Sequence, residues 1–570
     1  MSKKIIATHE RVDDIPVILA HLKKMRVAEL LDTHFPTHGN WQGLSLGWTT
    51  VVWWTFILSE GDHRLYRVEP WVKAHRRTLS RCVCSPVKPR DLTDDRLATI
   101  LDYLCVAERW GACERALNAS VLRVYDLQGR MVRVDTTTAA AYVTPDGLFQ
   151  LGHSKDHRPD LPQVKIAMTV LDPLGLPLTT TVVAGNTADD PLYLPEIAKV
   201  RQSAGSRGLT YVGDCKMAAI GTRAELVAYG DYYWCPLSAK QVPEADLARV
   251  LAPVWSGALE PHEIRLPLAD GTRAEADDPV AIGFEYPVEL SAPDHAGQTH
   301  TWQERRLVIR SRAWAERQEQ SLRQRVARAV MEINALDERK QGKPCLPDET
   351  AASQAAAAIL AKQRVEGLVT VTVTTDRYEH VKRRYGTRPA TTVRSERVRV
   401  HAVSEEGLLA DAIRRLGWRV YATNHTAEEM SLAQGVAAYR SEYLIEQSFG
   451  RLKGRALSLT PLFLQYDHRG VGLLYLLSIA LRVLVLMQFV VRCTLRQGGT
   501  TLTGIYPGQP GRQTAKPTTA MMLSAFRGVT LSRIKINGKL HEYLTPLKDV
   551  QQRILALRQL PLEIYDGLVT

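Results

Sequence analysis

A phenol, a carboxylate and an ammonium group recur at seven-residue intervals late in the chain. Tyr439, Glu446 and Lys453 lie within residues 435–455, and seven residues are about two helical turns, so one helix would carry all three on the same side. The predicted helix also has an apolar stripe, formed by Ile445, Phe449 and Leu452. One acid is thus followed two turns later by a cation and preceded two turns earlier by a phenol. Taken alone, this pattern is more often an amphipathic surface helix with ordinary charges.

Length and charge limit what the rest of the chain can be. The 570 residues predict roughly two to four domains, and a hydrophobic fraction of 45% is ordinary for a globular protein with a large core. Lys and Arg number 73 against 61 acids, giving a net charge of +12. This excess favours a polyanionic partner, nucleic acid first, although many basic proteins bind none.

The cysteines and the apolar segments indicate a cytoplasmic protein. Eight cysteines are scattered without a disulfide framework or zinc-ribbon spacing, which suits a reducing compartment. The N-terminus has no apolar core of a signal peptide. Residues 471–491 are the most apolar run, interrupted by Arg482 and Gln488, and we expect a buried core helix there rather than a membrane span.

A change of periodicity after residue 130 predicts a mixed sheet. Strands are expected at 131–138, with Asp135, and at 164–172 and 176–185, where a DPLG turn makes a hairpin. A helix, a strand ending at Asp214, another helix and another strand follow. This order is that of the RNase H-like fold, in which the first and fourth strands are neighbours. Asp135 and Asp214 would then stand side by side at adjacent strand ends, and two such carboxylates repel unless a cation lies between them.

Five regions follow from the whole pattern. They are a helical N-terminal region (1–128), whose basic and aromatic stretch 62–81 suits DNA-end binding or a solvated face, the first part of an RNase H-like core (129–237), a largely β insertion subdomain with its own sheet (238–417), the second part of the core with the Glu446 helix (418–495), and a helical C-terminal region expected to serve oligomerisation or DNA contact (496–570). The Glu446 helix, or one preceding it, is expected to begin at the capping-box pattern Thr426–Glu429. The basic stretch 382–397 suits a DNA-contacting hairpin or a solvated loop.

Three acids placed in this way would form a site for hard cations. Carboxylates with waters and phosphate oxygens are the ligands that Mg²⁺ prefers. Two such ions about 4 Å apart can activate a water or a 3′-hydroxyl and stabilise the leaving oxygen of a phosphodiester. Taken singly, each acid has an ordinary alternative: Asp135 could form a strand-end turn and Asp214 could cap a helix.

The blocks VDTTT, YVGDCKM and Y-x6-E-x6-K together resemble the catalytic blocks of DDE transposases of bacterial insertion sequences. The most similar branch has the signature Y-x2-R-x3-E-x6-K and a β-strand insertion before the Glu. Residues 152–166, GHSKDHRPDLPQVKI, residues 183–189, VAGNTAD, and the strand ending in Thr423-Asn424 are also similar to segments of that branch. The resemblance covers roughly residues 130–490.

The resemblance implies roles for particular residues. Asp135, Asp214 and Glu446 would be the catalytic metal ligands, holding Mg²⁺ or Mn²⁺ as two ions. The residues implied at the DNA are Tyr439, Lys453, Arg440, Arg451, Lys155 and Arg158. The last two belong to a polar connection, 153–158, for which a solvated loop is the alternative. Where the signature has Arg, this chain has Glu442, and Arg440, Arg451 and Arg455 are the candidates to replace that Arg.

The resemblance therefore predicts a cut-and-paste transposase that acts on terminal inverted repeats and on target DNA. Such an enzyme would form a homodimer on double-stranded DNA, would have no membrane association and would be associated with the nucleoid. Two alternatives remain: a catalytically silent DNA-binding protein derived from such an enzyme, and a structure-selective nuclease of the same fold. Cleavage without strand transfer would indicate the nuclease, and binding without cleavage the silent protein.

Overall fold

The computed structural model describes residues 5–205, 207–266, 278–338, 346–384, 386, 389–464, 466–536 and 539–569. Its centre is a nine-stranded mixed sheet. Helices cover the sheet, and the N- and C-terminal regions meet beside it. Part of the basic stretch 382–397 therefore lies outside the described residues.

The N-terminal region is helical, as predicted, except for its first strand. In chain order it contains β1 (Ile5–Arg11), α1 (Ile15–Lys24), α2 (Val27–His34), α3 (Leu46–Glu60), α4 (Val68–Ala74), α5 (Arg76–Val83), α6 (Asp94–Leu104) and α7 (Ala107–Val124). Helix α3 starts where the Ser45 hydroxyl accepts from the Trp48 amide and ends at Gly61, whose φ of 63° closes the helix. Its apolar residues point inward on every side, so α3 is a core helix.

The next elements occur in the predicted order, three strands followed by helix, strand, helix and strand. They are β2 (Met131–Ala140), β3 (Gln163–Leu171), β4 (Leu176–Ala184), α8 (Tyr193–Ala204), β5 (Thr210–Val212), α9 (Ile220–Ala228) and β6 (Tyr232–Pro236). Strands β2, β3 and β4 are antiparallel neighbours, while β5 runs parallel to β2 and β6 parallel to β5. All of β3 is buried, which agrees with its nearly continuous β-branched and apolar sequence.

The insertion differs from the prediction in its sheet. It contains α10 (Glu244–Trp255), β7 (His262–Ile264), β8 (Ala281–Pro293), β9 (Thr299–Ser311), α11 (Arg312–Asn334), α12 (Glu349–Gln363), β10 (Val369–Lys382), β11 (Thr391–Ser404) and α13 (Glu406–Arg414). Strands β7, β8 and β9 extend the central sheet, and only β10 and β11 form a separate one. The prediction of a sheet independent of the core was therefore wrong for three of the five strands.

The chain returns to the core through β12 (Trp418–Thr423), α14 (Leu432–Arg440), α15 (Tyr443–Lys453) and α16 (Asp467–Gln497). Strand β12 pairs with β6 on one side and with β9 on the other, so the full order is β4-β3-β2-β5-β6-β12-β9-β8-β7. The predicted helix start at Thr426 was wrong. Thr426 and Glu429 do exchange capping hydrogen bonds, but they close a turn, and the helix begins after Ser431 with Gln434 as its reciprocal partner.

Helix α16 is long and apolar enough to cross a membrane by composition. However, 89% of its most apolar window is buried inside the protein, as expected for a core helix. The Trp54 indole of α3 donates to the Leu476 carbonyl of α16 at 2.8 Å. Helix α16 therefore joins the N-terminal helices to the sheet.

The C-terminal region is not purely helical, contrary to the prediction. It comprises β13 (Leu502–Thr503), β14 (Gln513–Thr514), α17 (Thr519–Ser524), β15 (Thr530–Ile536), β16 (Lys539–Leu544), α18 (Asp549–Leu557) and α19 (Glu563–Asp566). Strand β1, from the other end of the chain, pairs with β15 to make a three-stranded sheet. The first and last regions consequently form one packed unit.

Candidate active site

Asp135 lies on β2, and Asp214 lies two residues beyond the end of the adjacent parallel strand β5, close enough for its charge to act on Asp135. The β2–β5 pairing aligns Arg133 with Val212, and the same register continued for two residues would bring Asp135 level with Asp214. Neighbouring strands are about 4.8 Å apart. Asp135 is in the middle of β2 rather than at its end as predicted, because β2 continues to pair with β3 as far as Ala140. The expected neighbourhood of the two acids is present, at the point where β5 stops.

Asp214 is held by two donors. The Tyr193 hydroxyl, on α8, donates to Asp214 Oδ1 at 2.6 Å, and the backbone amide of Lys216 donates to the same oxygen at 2.8 Å. Burial and the nearby Asp214 charge raise the pKa of Tyr193 far above its usual value, so the phenol stays protonated and remains a donor. Asp214 therefore has a fixed orientation.

A lysine accompanies Asp135. Lys155 Nζ lies 3.6 Å from Asp135 Oδ1 and 3.8 Å from Asp189 Oδ2, and it donates to the Thr136 carbonyl at 2.7 Å. Burial raises the pKa of Asp135 to about 6, with Asp214 and Asp189 adding to the rise and Lys155 opposing it. Lys155, predicted to contact DNA, thus lies among the acids and partly neutralises them.

Asp189 is an additional acid in this group. Burial alone would raise the pKa of Asp189, but the hydrogen bond from Lys165 and the charge of Lys155 bring it below its ordinary value. Lys165 Nζ lies 2.7 Å from Asp189 Oδ1, and the Thr136 hydroxyl donates to the same oxygen at 3.0 Å. Neither Asp189 nor Asp190 caps α8 with its side chain, and α8 begins at Tyr193.

The stretch that carries Glu446 is broken into two helices. Residues Ser441 and Glu442 form a turn between α14 and α15, in which the Glu442 amide donates to the Tyr439 carbonyl at 3.0 Å and the Ile445 amide to the Glu442 carbonyl at 3.1 Å. The Ser441 hydroxyl donates back to the Ala437 carbonyl at 3.0 Å, a contact that bends helices. The prediction of one continuous helix over 435–455 was therefore wrong, and Tyr439 belongs to a different helix from Glu446 and Lys453.

Helix α15 docks through the predicted apolar stripe. Ile445, Phe449 and Leu452 are buried, and the Ser448 hydroxyl donates to the Gly175 carbonyl in the β3–β4 turn at 3.0 Å. Glu446, on a neighbouring face of the same helix, is exposed. The helix therefore presents the predicted third carboxylate at its open surface.

Glu442, the residue that replaces the expected Arg, is close to the acids. Burial raises the pKa of Glu442, and the charges of Asp135 and Glu446 raise it further. The Tyr439 hydroxyl and Arg133 act in the opposite sense. Glu442 thus lies within electrostatic range of both Asp135 and Glu446.

The other predicted DNA contacts have different environments. Tyr439 is half-buried, with its ring edge-on to Tyr421 at 4.8 Å. Lys453 Nζ donates to Asp156 at 2.5 Å and to the Thr137 hydroxyl at 3.0 Å, so it fastens α15 to β2 and to the loop that follows it. Arg440 is exposed.

Arg451 and Arg158 are paired within the protein. Arg451 Nη2 donates to Gln488 of α16 at 3.1 Å, and burial lowers the pKa of this guanidinium. Arg158 forms a two-point pair with the exposed Asp160 and donates to the Tyr142 hydroxyl at 3.2 Å. Arg440 therefore has the most accessible guanidinium of the three arginines predicted to contact DNA.

The carboxylates suit a hard divalent cation in their chemistry, since Mg²⁺ takes oxygen ligands. Asp135 and Asp214 are side by side, and Glu446 lies one helical turn beyond Glu442. Among the described residues, however, no three Asp, Glu, His or Cys side chains are gathered closely enough to hold an ion. The carboxylate oxygens are of the type that the predicted metal binds, but Glu446 does not lie beside Asp135 and Asp214 in this structure.

Four residues close to the predicted ligands were not predicted from the sequence to lie there: Asp189, Lys165, Tyr193 and Arg133. Lys165 and Arg133 are charged residues inside otherwise apolar strands, and this was the available signal, because a charge within a buried strand needs a partner. Arg133 is buried, with Nε 2.9 Å and Nη2 2.6 Å from the carboxylate of Asp172. Tyr193 had no such signal, since an apolar-looking Tyr at a helix start is common.

Comparisons with known proteins give little. No protein-family model matches the chain and no curated protein matches it. Among solved structures, the piggyBac transposase synaptic complex with hairpin DNA matches with a TM-score of 0.22 and 10% sequence identity. The match covers 52% of this chain and 62% of that one, so the chain spans less than two thirds of the length of that protein. A similarity this low does not establish a shared fold or function, and the candidate active site is described from the geometry of this chain alone.

Proposed function

We propose that the chain is a DNA transposase with an RNase H-like core, which cleaves phosphodiester bonds at the ends of an insertion sequence and joins the freed 3′-hydroxyl to target DNA. The observation that carries this proposal is the register of β2 and β5. The order β4-β3-β2-β5-β6, with its antiparallel hairpin feeding parallel strands, makes β5 the neighbour of β2 and supports a position of Asp214 beside Asp135. The helix with Glu446 is fastened to β2 by the hydrogen bond from Lys453 to Thr137.

Asp135, Asp214 and Glu446 would hold Mg²⁺ or Mn²⁺, as two ions. Ions bound there supply a Lewis acid that activates the attacking oxygen and stabilises the leaving one. The protein contributes positioning. Tyr193 fixes the orientation of Asp214, and Lys155 partly neutralises Asp135, so the acids can remain close together before a cation binds.

The DNA would approach on the open side of α15. Arg440 is exposed there, and the net charge of +12 favours a polyanion. The helical N-terminal region would bind the terminal inverted repeat. A homodimer would hold two DNA ends, as transposition of an element requires. Lys453 and Arg451 would support this surface from within, because both are engaged by protein groups.

The test is divalent-dependent cleavage of labelled DNA that contains the inverted repeats flanking the gene. Asp135→Asn, Asp214→Asn and Glu446→Gln should each lower the cleavage rate by about 100-fold or more, as expected when a ligand of a catalytic metal is lost. Glu260→Gln, at an exposed acid of the insertion, is the matched control and should cut like the wild type.

Three outcomes would contradict the proposal. Wild-type rates in the Asp135 and Glu446 variants would refute the site. Specific binding of the repeats with no cleavage in Mg²⁺ or Mn²⁺ would indicate the silent DNA-binding protein. Cleavage without joining to a target duplex would indicate a structure-selective nuclease.

A further inference from the structure

The β10–β11 ribbon is the part of the chain with the least attachment to the rest. Its two strands pair over all 14 residues of each, Val369–Ser404 at one end and Lys382–Thr391 at the other, and they form a sheet of their own. Only the near half is packed. Val369, Val398 and Val400 are buried against helices α11 and α12.

The far half of the ribbon extends into solvent. Every residue of β10 from Asp376 to Lys382 is exposed, on both faces of the strand. Seven residues of antiparallel strand span about 24 Å. An extended two-stranded ribbon of this length, without a core on either face, is not stabilised by burial. Contact with a binding partner is another way in which such a ribbon can be stabilised.

Cross-strand ion pairs link the two strands of the ribbon and neutralise the carboxylates of Glu379 and Glu396. Arg377 pairs with Glu396 at 3.0 Å and Arg394 pairs with Glu379 at 2.7 Å. Exposed pairs of this kind contribute little stability, about 0 to 1 kcal/mol each. Their effect is to neutralise the middle of the ribbon.

Beyond these pairs the ribbon is basic. Lys382, Arg383 and Arg384 follow one another at its outer end, and all three are exposed. Within the described ranges, no acid forms an ion pair with any of them. Three unneutralised cations at the end of a protruding arm repel each other and attract a polyanion.

We propose that this ribbon is an arm that lies in a groove of double-stranded DNA, with Lys382, Arg383 and Arg384 contacting phosphates. The major groove of B-DNA, about 12 Å wide, admits a two-stranded antiparallel ribbon. The exposed length of the arm is sufficient to cross it from one phosphate backbone to the other. This inference rests on the proposed function, and it assigns to the arm affinity for DNA without any part in bond cleavage.

The experiment compares two triple variants of the full-length protein. The first is Lys382→Ala with Arg383→Ala and Arg384→Ala. The second, matched in charge, is Lys240→Ala with Arg249→Ala and Arg328→Ala, three cations that are also exposed but lie outside the arm. Fluorescence anisotropy measures binding of a labelled duplex between about 50 and 200 mM salt, and a melting curve confirms that both variants are folded.

The arm variant should bind about tenfold more weakly than the control variant, and the slope of log affinity against log salt should fall by about two to three, one for each lost phosphate contact. At saturating DNA, its cleavage rate should match that of the control. Equal affinity and equal slope in the two variants, with a wild type that binds and cleaves, would refute the arm and leave the proposed function intact. A wild type without affinity for any duplex would refute both. Loss of self-association with unchanged DNA affinity would mean that the arm binds a second copy instead, and would also refute the inference.

Discussion

The guanidinium of Arg133 and the carboxylate of Asp172 form a buried two-point ion pair, and the same guanidinium also donates to the Ala438 carbonyl at 2.5 Å. Arg133 is on β2, two residues before Asp135. Ala438 is in the last turn of α14, just before the break that leads to Glu446. One side chain thus ties the strand of the first predicted ligand to the helix pair of the third.

Removing Arg133 should destabilise the protein strongly. Arg133→Met would leave the buried Asp172 carboxylate without its cation, and breaking a buried pair in this way costs about 3 to 5 kcal/mol. Burial already raises the pKa of Asp172 despite Arg133. The double variant Arg133→Met/Asp172→Leu should recover a large part of the loss, because no charge is then left unpaired. Urea unfolding of the two variants measures this, and equal destabilisation in both would contradict the account.

Asp135 should make the stability of the metal-free protein depend on pH. The folded protein retains the Asp135 proton up to about pH 6, whereas the ordinary pKa is 3.8. Between these values the native state binds more protons than the unfolded state, so this group lowers stability as pH rises through about 4 to 6 and imposes its full penalty, at most about 3 kcal/mol, above that window.

Asp135→Asn removes that titration. Relative to the wild type, the variant should gain stability at pH 7.5 and should gain little at pH 4.5. Melting curves in EDTA measure the difference at each pH. A gap between the two proteins that is the same at both pH values would show that Asp135 has an ordinary pKa.

The roles of Glu442 and Glu446 can be distinguished by replacing each with glutamine. If Glu446 is the metal ligand, Glu446→Gln should abolish cleavage, whereas Glu442→Gln should keep at least about a tenth of the wild-type rate. Glu442→Gln should also stabilise the metal-free protein by about 0.5 to 1 kcal/mol, because it removes one charge from a group of like charges and can still accept from Tyr439. The opposite pattern of cleavage would make Glu442 the third ligand.

Gly435 should tolerate no side chain. It lies in α14 against the buried indole of Trp234, where an added Cβ would be 2.1 Å from the ring. Gly435→Ala should therefore push α14 away from the sheet and cost about 1 to 3 kcal/mol. Gly450→Ala is the matched control, since it also lies in a helix but has nothing within 4 Å, and there Ala should stabilise by about 0.5 to 1 kcal/mol. Similar unfolding midpoints for the two variants would contradict the close packing of α14.

The parts of the fold that follow from local pattern could be predicted. β-branched runs and the turn at 172–175 give strands β2 to β4, and the alternation that follows gives β5 and β6. The parallel pairing then places Asp135 near Asp214. The apolar stripe of α15 could also be predicted, because it depends only on the spacing of apolar residues.

Contacts between distant parts of the chain could not be predicted. Just before the break at Ser441, the Ala438 carbonyl accepts from Arg133, 305 residues earlier, and the helical sequence pattern continues through the break. The pairing of β9 with β12 could not be predicted for a similar reason, since a strand carries no sequence mark of its distant partner. The position of Glu442 among the acids follows from this break and was missed with it.

The pairing of β1 with β15 also sets an order of events during synthesis. Residues Ile5–Arg11 are made more than 500 residues before their partners, Thr530–Ile536. At about 5 to 20 residues per second, β1 must wait roughly half a minute to two minutes for its partner strand. The N-terminal region is therefore completed only after β15 has been made, and a polypeptide that stops short of β15 leaves β1 as an unpaired strand, open to association with other chains.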